Sequence, residues 1–151
     1  MTSAPAIVVG GGISGVACAS ALAAAGIPAQ LRERAHRLGG RMASRTLRDT
    51  GTAFDGRVVD IGASYFTATD PDFAGVVALL QAEGVVRPWT SGFHVAGPEG
   101  IEGVSGGAAR YAAPRGLRNV VEVLARDLPA VSLEAPVESV VVTALGVTGN
   151  S

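Results

Sequence analysis

The sequence predicts an α/β fold built on a parallel sheet, and three observations at its start carry that expectation. Ala6-Ile7-Val8-Val9 is a continuous apolar run, as expected of a parallel strand buried on both faces. Gly10-Gly11-Gly12-Ile13-Ser14-Gly15 follows at once, and the alanine-rich stretch from Ile13 to Ala25 reads as a helix closed by Gly26. Pro28 to Arg32 then supplies a second short strand, leading into Glu33. Strand, glycine turn, helix and strand in about thirty residues form a βαβ unit.

Composition narrows the class. The 151 residues amount to one domain by length, with 48% hydrophobic and 5% aromatic residues, so Ala, Val, Leu and Ile must build the core. A formal net charge of -1 gives no electrostatic reason to expect nucleic acid or an anionic membrane. The single cysteine, Cys18, excludes an internal disulfide and a cysteine-based metal cluster, and no metal site is expected. Met1 to Pro5 lacks the basic region of a signal peptide, and the apolar run Val16 to Ala25 is too short to span a bilayer. A cytoplasmic location is the expectation.

The glycine motif is a GxGxxG placed between a strand and a helix. Gly10 permits a tight turn, Gly12 allows backbone to approach a pyrophosphate, and Gly15 allows close helix–strand packing. The helix N-terminus adds unpaired N–H groups and partial positive charge. Seventeen residues separate Gly15 from Glu33, whose carboxylate can accept hydrogen bonds from both hydroxyls of an adenosine ribose. That same carboxylate would repel a 2′-phosphate, which argues against NADP. The second feature is Leu38-Gly39-Gly40-Arg41-Met42, where two glycines and a guanidinium can approach a dinucleotide's phosphates.

Downstream, Asp70-Pro71 is an N-cap with proline at the first helical position. Phe73, Val76, Val77 and Leu80 share one face of that helix, and Gly84 closes it. Ser91 to Gly107 is glycine-rich and weakly patterned, consistent with a hairpin and loops. A second amphipathic helix follows Gly116, with Leu117, Val120, Val121, Leu124 and Leu128 on one face. Val131-Ser132-Leu133 and Val137 to Val142 read as short strands, and Ala144-Leu145-Gly146 as a turn.

The doublet after the ribose-binding acid resembles the amine oxidase-like flavoproteins. Three further segments resemble the renalase-like branch of that superfamily. Val59-Asp60-Ile61-Gly62-Ala63-Ser64-Tyr65-Phe66-Thr67 is similar to its DLGAQYhT segment, Gly84-Val85-Val86-Arg87-Pro88-Trp89 to its GVLRPh stretch, and Tyr111-Ala112-Ala113-Pro114-Arg115-Gly116-Leu117 to the lead into a helix. The resemblance implies non-covalent FAD held by Gly10, Gly12, Ser14, Gly15, Glu33, Arg34, Gly40, Arg41, Met42, Gly62, Ala63, Ser64, Tyr65 and the backbone of Val137. Ser64 departs from the pattern, standing where the family shows glutamine, and its hydroxyl has a shorter reach.

The implied reaction is oxidation of a dihydro-NAD(P) isomer by hydride transfer to flavin, with dioxygen or another acceptor closing the cycle. No side-chain base is required, and no catalytic residue is nominated. The implied organisation is an FAD-binding part over 1–65, a substrate-domain segment over 66–110, and the FAD-binding domain resumed over 111–151. The family's greater length leads to the expectation of a truncated chain, inactive alone, with the first strand lacking a partner on one edge. An amine oxidase or desaturase-like flavoprotein, or a non-catalytic nucleotide-binding fragment, are the alternatives. Among the remaining residues, Cys18 reads as a small core filler, and His36 and His94 as surface residues. Trp89 and Tyr111 fit either packing or a cavity wall. Arg45, Arg48, Arg57, Arg110 and Arg115 are expected on the surface.

Overall fold

The computed structural model describes residues 5–141. The expected turn at Ala144-Leu145-Gly146, and everything outside 5–141, lies beyond the described residues. Strand β1 (Ala6–Val9) leads through the glycine turn into helix α1 (Ile13–Ala24) and strand β2 (Ala29–Arg32). These strands pair in parallel, Ala6 with Ala29 and Val9 with Arg32. A strand from the far end of the chain, Val131–Ser132, joins β2 in parallel on its other side.

Between these elements the chain makes two antiparallel sheets. Strands β3 (Ser44–Thr46) and β4 (Val58–Asp60) form a small ladder. Strand β5 (Phe66–Thr67), helix α2 (Pro71–Ala82), and the long strands β6 (Arg87–Gly97) and β7 (Gly100–Ala112) follow, in sheet order β5-β7-β6. Helix α3 (Arg118–Leu124) then leads to β8, the Val131–Ser132 strand. The α/β class with a parallel sheet is therefore observed, around a Rossmann-like βαβ unit.

The core lies on the side of the parallel sheet that carries α1. Val16 and Ala19 from α1, Leu31 from β2, Val77 and Leu80 from α2, and Leu117, Val120 and Val121 around α3 are all buried in one cluster. Helix α2 starts as expected: Asp70 accepts from the Phe73 N–H at 2.9 Å, Pro71 occupies the first turn, and Gly84 takes φ +70° beyond the end. At its other end Glu83 forms two bonds with the Arg126 guanidinium, which hold its carboxyl below the usual carboxylate range.

Four expectations need correction. First, β1 is not covered on both faces, because Ile7 and Val9 are 49% and 58% exposed while Val8 packs on the core. The crossover helix α1 shields one face only, and among the described residues β1 pairs with β2 alone. Second, residues 137–141 are not a strand; Val140 and Val141 are 80% and 78% exposed, with no ladder partner to satisfy their backbone. Third, Cys18 is exposed, because α1 turns Val16 and Ala19 inward and Cys18 away. Fourth, Arg110 is half-buried, its guanidinium carbon 4.4 Å from the Phe93 ring centroid.

The hairpin expected over 91–107 is longer and more regular than its pattern suggests. Register shifts near Pro88, Thr90 and Val95 break the alternation that sequence reading depends on. His94 and His36 are exposed. Trp89 and Phe93 meet edge to face at 5.5 Å, whereas Tyr111 stacks on Phe66 at 5.6 Å beside the core.

Leu117 has no exposed surface and anchors the start of α3. Leu117→Ala should cost about 2–5 kcal/mol, the usual range for a buried leucine truncation. Leu79→Ala, at an exposed position of α2, should change stability by no more than about 0.5 kcal/mol. Urea midpoints of the two variants test this, and equal shifts would show that the core lies elsewhere.

Candidate functional site

Close backbone approaches build the site. A β-carbon on Gly15 would collide with the Gly10 carbonyl oxygen, so α1 presses onto the end of β1 only because that position is glycine. Gly10 has φ +101°, a conformation that L side chains rarely adopt. The N-cap Gly12 has no side-chain cap, and no acidic residue occupies the first turn of α1. The dipole and the first N–H groups of this helix are thus left to an anion from elsewhere.

The doublet returns to the same place. Gly39 donates its N–H to the Gly11 carbonyl at 2.9 Å, and Gly39 and Gly12 form an isolated parallel bridge. Gly40 has φ +51°, and a β-carbon on it would lie 3.2 Å from the Gly12 Cα. Gly39 and Gly40 open a 3-10 turn, Gly40–Met42, that leaves Arg41 exposed and Met42 buried. The result is a cleft of about 320 Å³ lined by Val9, Gly10, Gly12 to Gly15, and Gly39 to Met42.

A second cleft, of about 240 Å³, shares Val9 and Gly10 with the first. Its walls are Arg32, Glu33, Arg34, Ala135, Pro136 and Val137. Glu33 is only 9% exposed, and both carboxylate oxygens accept backbone bonds, from Gly11 N–H at 2.6 Å and Ala35 N–H at 2.8 Å. Each oxygen keeps a lone pair for a further donor such as a hydroxyl. Val137 reaches the cleft because Glu134 and Ala135 donate their N–H groups to the carbonyls of Ala35 and Glu33. The Arg32 Nε is buried without a hydrogen-bond partner at this cleft.

The segment expected beside a flavin splits in two. Gly62 and Ala63 lie against the 3-10 turn: Ala63 donates to the Arg41 carbonyl at 2.9 Å, and a β-carbon on Gly62 would strike that carbonyl. Ser64 and Tyr65 line neither cleft. Ser64 is exposed, and the Tyr65 ring sits 5.9 Å from Trp89 and 5.8 Å from Phe93 in an aromatic cluster on the hairpin sheet. The structure thus gathers Gly10, Gly12, Ser14, Gly15, Gly40, Arg41 and Met42 at one cleft, and Glu33, Arg34 and Val137 at its neighbour.

Three residues that hold this arrangement were missed by sequence reasoning. The Asp60 Oδ1 accepts from Ser44 Oγ and from the Leu117 N–H, each at 2.7 Å. Ser44 Oγ accepts in turn from the Arg118 N–H at 3.1 Å. The Arg118 guanidinium donates to the carbonyls of Leu38 and Ser44, at 3.3 and 3.0 Å. One signal was available: α3 starts at Leu117 and Arg118 with no Ser, Thr, Asp or Asn to cap it, so its cap had to come from another segment.

Among the described residues no group of three or more His, Cys, Asp or Glu is placed to hold a metal ion, and no helix is long and apolar enough to cross a membrane. Residues 8–81 match the family of NAD(P)-binding Rossmann-like domains. Solved structures of putrescine oxidase from a redesign of its cofactor binding are similar over part of this chain. A triple mutant aligns at 30% identity over 60% of this chain and 18% of its own, with a TM-score of 0.42. The wild type bound to putrescine aligns at 30% over 62% and 18%, with a TM-score of 0.41. This chain therefore spans about a fifth of the length of those proteins.

Two helical glycines separate close packing from mere helix propensity. Gly15→Ala should destabilise by about 1–3 kcal/mol, because the backbone it meets cannot step aside. Gly75→Ala, inside α2 with open space around it, should stabilise by about 0.5–1 kcal/mol. Thermal or urea unfolding of both variants tests this. A neutral Gly15→Ala would mean that α1 does not press on the Gly10 turn.

Proposed function

We propose that this chain is the FAD-binding part of a renalase-like flavoprotein oxidoreductase that oxidises a dihydro-NAD(P) isomer. One observation carries the reading: two clefts meet at Val9 and Gly10, with a buried carboxylate in one and an uncapped helix N-terminus in the other. A dinucleotide needs that order, a ribose acceptor at one end and a phosphate cradle in the middle. The doublet, packed on Gly11 and Gly12, favours FAD over a nicotinamide cofactor in this groove, since it resembles that of the amine oxidase-like flavoproteins.

In this reading the ribose hydroxyls donate to Glu33, and the adenine meets the backbone at Val137. The first turn of α1, with Gly12, Ser14 and the Arg41 guanidinium, takes the pyrophosphate. Gly62 and Ala63, held on the Arg41 carbonyl, approach the ring end beside Met42. Bound flavin supplies the hydride acceptor. The protein's own work is to bind, orient and exclude water, and none of its side chains is assigned a proton transfer. Non-covalent binding of the FAD belongs to the same proposal. The partners are the reduced nicotinamide substrate and dioxygen or another acceptor, in the cytoplasm. The division into 1–65, 66–110 and 111–151 belongs to the same proposal.

Two measurements test it. Glu33→Ala should lower FAD affinity by about 2–4 kcal/mol, the worth of two hydrogen bonds to a charged group. Arg41→Lys should weaken binding too, because an ammonium cannot reproduce a planar fork. Unchanged FAD titrations in both variants would remove the cofactor assignment. Stopped-flow absorbance of the FAD-loaded flavoprotein that carries this part should show bleaching by 6-dihydro-NAD and none by benzylamine, whereas residues 1–151 expressed alone should turn over neither. The reverse preference would assign an amine oxidase, and failure to take up FAD would overturn the flavoprotein reading.

A further inference from the structure

Five of the twelve arginines face one region that the dinucleotide groove does not use. Two adjoining hollows, of about 190 and 440 Å³, share Arg37, Arg45, Arg118 and the intervening β3 residues Ser44 and Thr46. Arg115 closes one hollow and Arg48 the other. This concentration stands out in a chain whose net charge is -1.

The region has little negative charge of its own. Glu122 is the one acid in its walls, and its Oε1 already accepts two bonds from Arg37, at 3.1 and 2.7 Å. Among the described residues, Arg45, Arg48, Arg115 and Arg118 form no ion pair. The Arg118 side chain is fixed by its bonds to the Leu38 and Ser44 carbonyls, and its Nε–H is buried without an acceptor. Like charges gathered around a hollow repel one another until an anion enters, and guanidinium forks suit the tetrahedral oxygens of phosphate.

We propose that this arginine-lined hollow binds a phosphate group, either as free inorganic phosphate or as the terminal phosphate of an organic monoester. Arg45 and Arg115 supply the charge, and Arg118 is the fixed donor. The site lies directly behind the doublet: a β-carbon on Gly39 would lie 3.2 Å from the Arg118 Cγ. Phosphate held beside Arg118 would therefore be felt at Gly39 and Gly40, which form one wall of the dinucleotide groove. Coupling of this kind is reciprocal, so cofactor and phosphate would alter each other's affinity. The proposal does not depend on which dinucleotide occupies the groove.

Titration of the full chain with inorganic phosphate and, separately, with glycerol 3-phosphate tests it, read by calorimetry at low ionic strength and by backbone amide shifts. Saturable binding is expected, with shifts at Gly39, Gly40 and Arg118. The double variant Arg45→Gln/Arg115→Gln, which changes only exposed side chains, should weaken it about tenfold or more. Arg87→Gln, an exposed arginine on β6, should leave it unchanged. Tighter binding of the inorganic ion would assign free phosphate, and tighter binding of the ester would assign an organic ligand. Absence of saturable binding, equal loss in the double variant and in Arg87→Gln, or shifts confined to residues 12–15 would each overturn the proposal.

Discussion

Backbone packed on backbone, with no room for a β-carbon between, is the constraint on which this molecule depends. Gly15 against the Gly10 carbonyl sets the angle at which α1 leaves β1. Gly40 against Gly12 brings a segment from nearly thirty residues later into the same turn, and Gly62 against the Arg41 carbonyl adds a third layer. Each approach fixes the next, so the groove is a stack of main-chain surfaces rather than a pocket of side chains. Such a surface presents N–H groups and little bulk, which suits a phosphate and gives a purely apolar ligand few contacts.

A stack of this kind needs something to hold its outer layer in place. Asp60, at the end of β4, joins Ser44 on the neighbouring strand to the N-terminus of α3. Arg118 continues the link to the Leu38 and Ser44 carbonyls on either side of the doublet. The Asp60 carboxylate thus does for α3 what an N-cap residue does from within a helix, and it also ties α3 to the segment carrying Arg41. Bonds to a charged acceptor in a half-buried setting exceed ordinary ones in strength. The position of the doublet therefore depends on side chains that never touch the groove.

These two layers of control differ in how visible they are in the sequence. The βαβ unit, α2 and the glycine motif were legible because each depends on neighbours in the chain: an apolar run, a cap three residues from its donor, a glycine at a helix end. The strands β3 and β4 escaped notice because three-residue segments such as Ser44-Arg45-Thr46 carry no period. Valines at 137 and 140–141 looked like a strand, yet a strand exists only with a partner, and none lies alongside them among the described residues. The hairpin β6–β7 kept its pairing through bulges that erased its alternation. Of the candidate site, the groups that meet a ligand through the main chain were readable from glycine spacing. Asp60, Ser44 and Arg118, which act across 16 to 80 residues of sequence, were not.

The Glu33 cleft shows how such distant pairing bears on binding. A carboxylate only 9% exposed is costly unless hydrogen bonds replace its water, and Gly11 and Ala35 provide two. The Ala35 bond is local, but the rest of the cleft is not. Ser132 accepts the Glu33 N–H, and Ala135 donates to the Glu33 carbonyl, so the backbone on both sides of that carboxylate is held by a strand about a hundred residues away. Docking of β8 on β2 thus helps to fix the main chain from which the acid faces the groove. A ligand that bonds to Glu33 would therefore favour the docked arrangement of residues 131–137, and their loosening would expose the carboxylate and weaken its hold on the ligand. Placing this carboxylate beside a strand from the far end of the chain would couple occupancy of the cleft to the docking of β8 on β2.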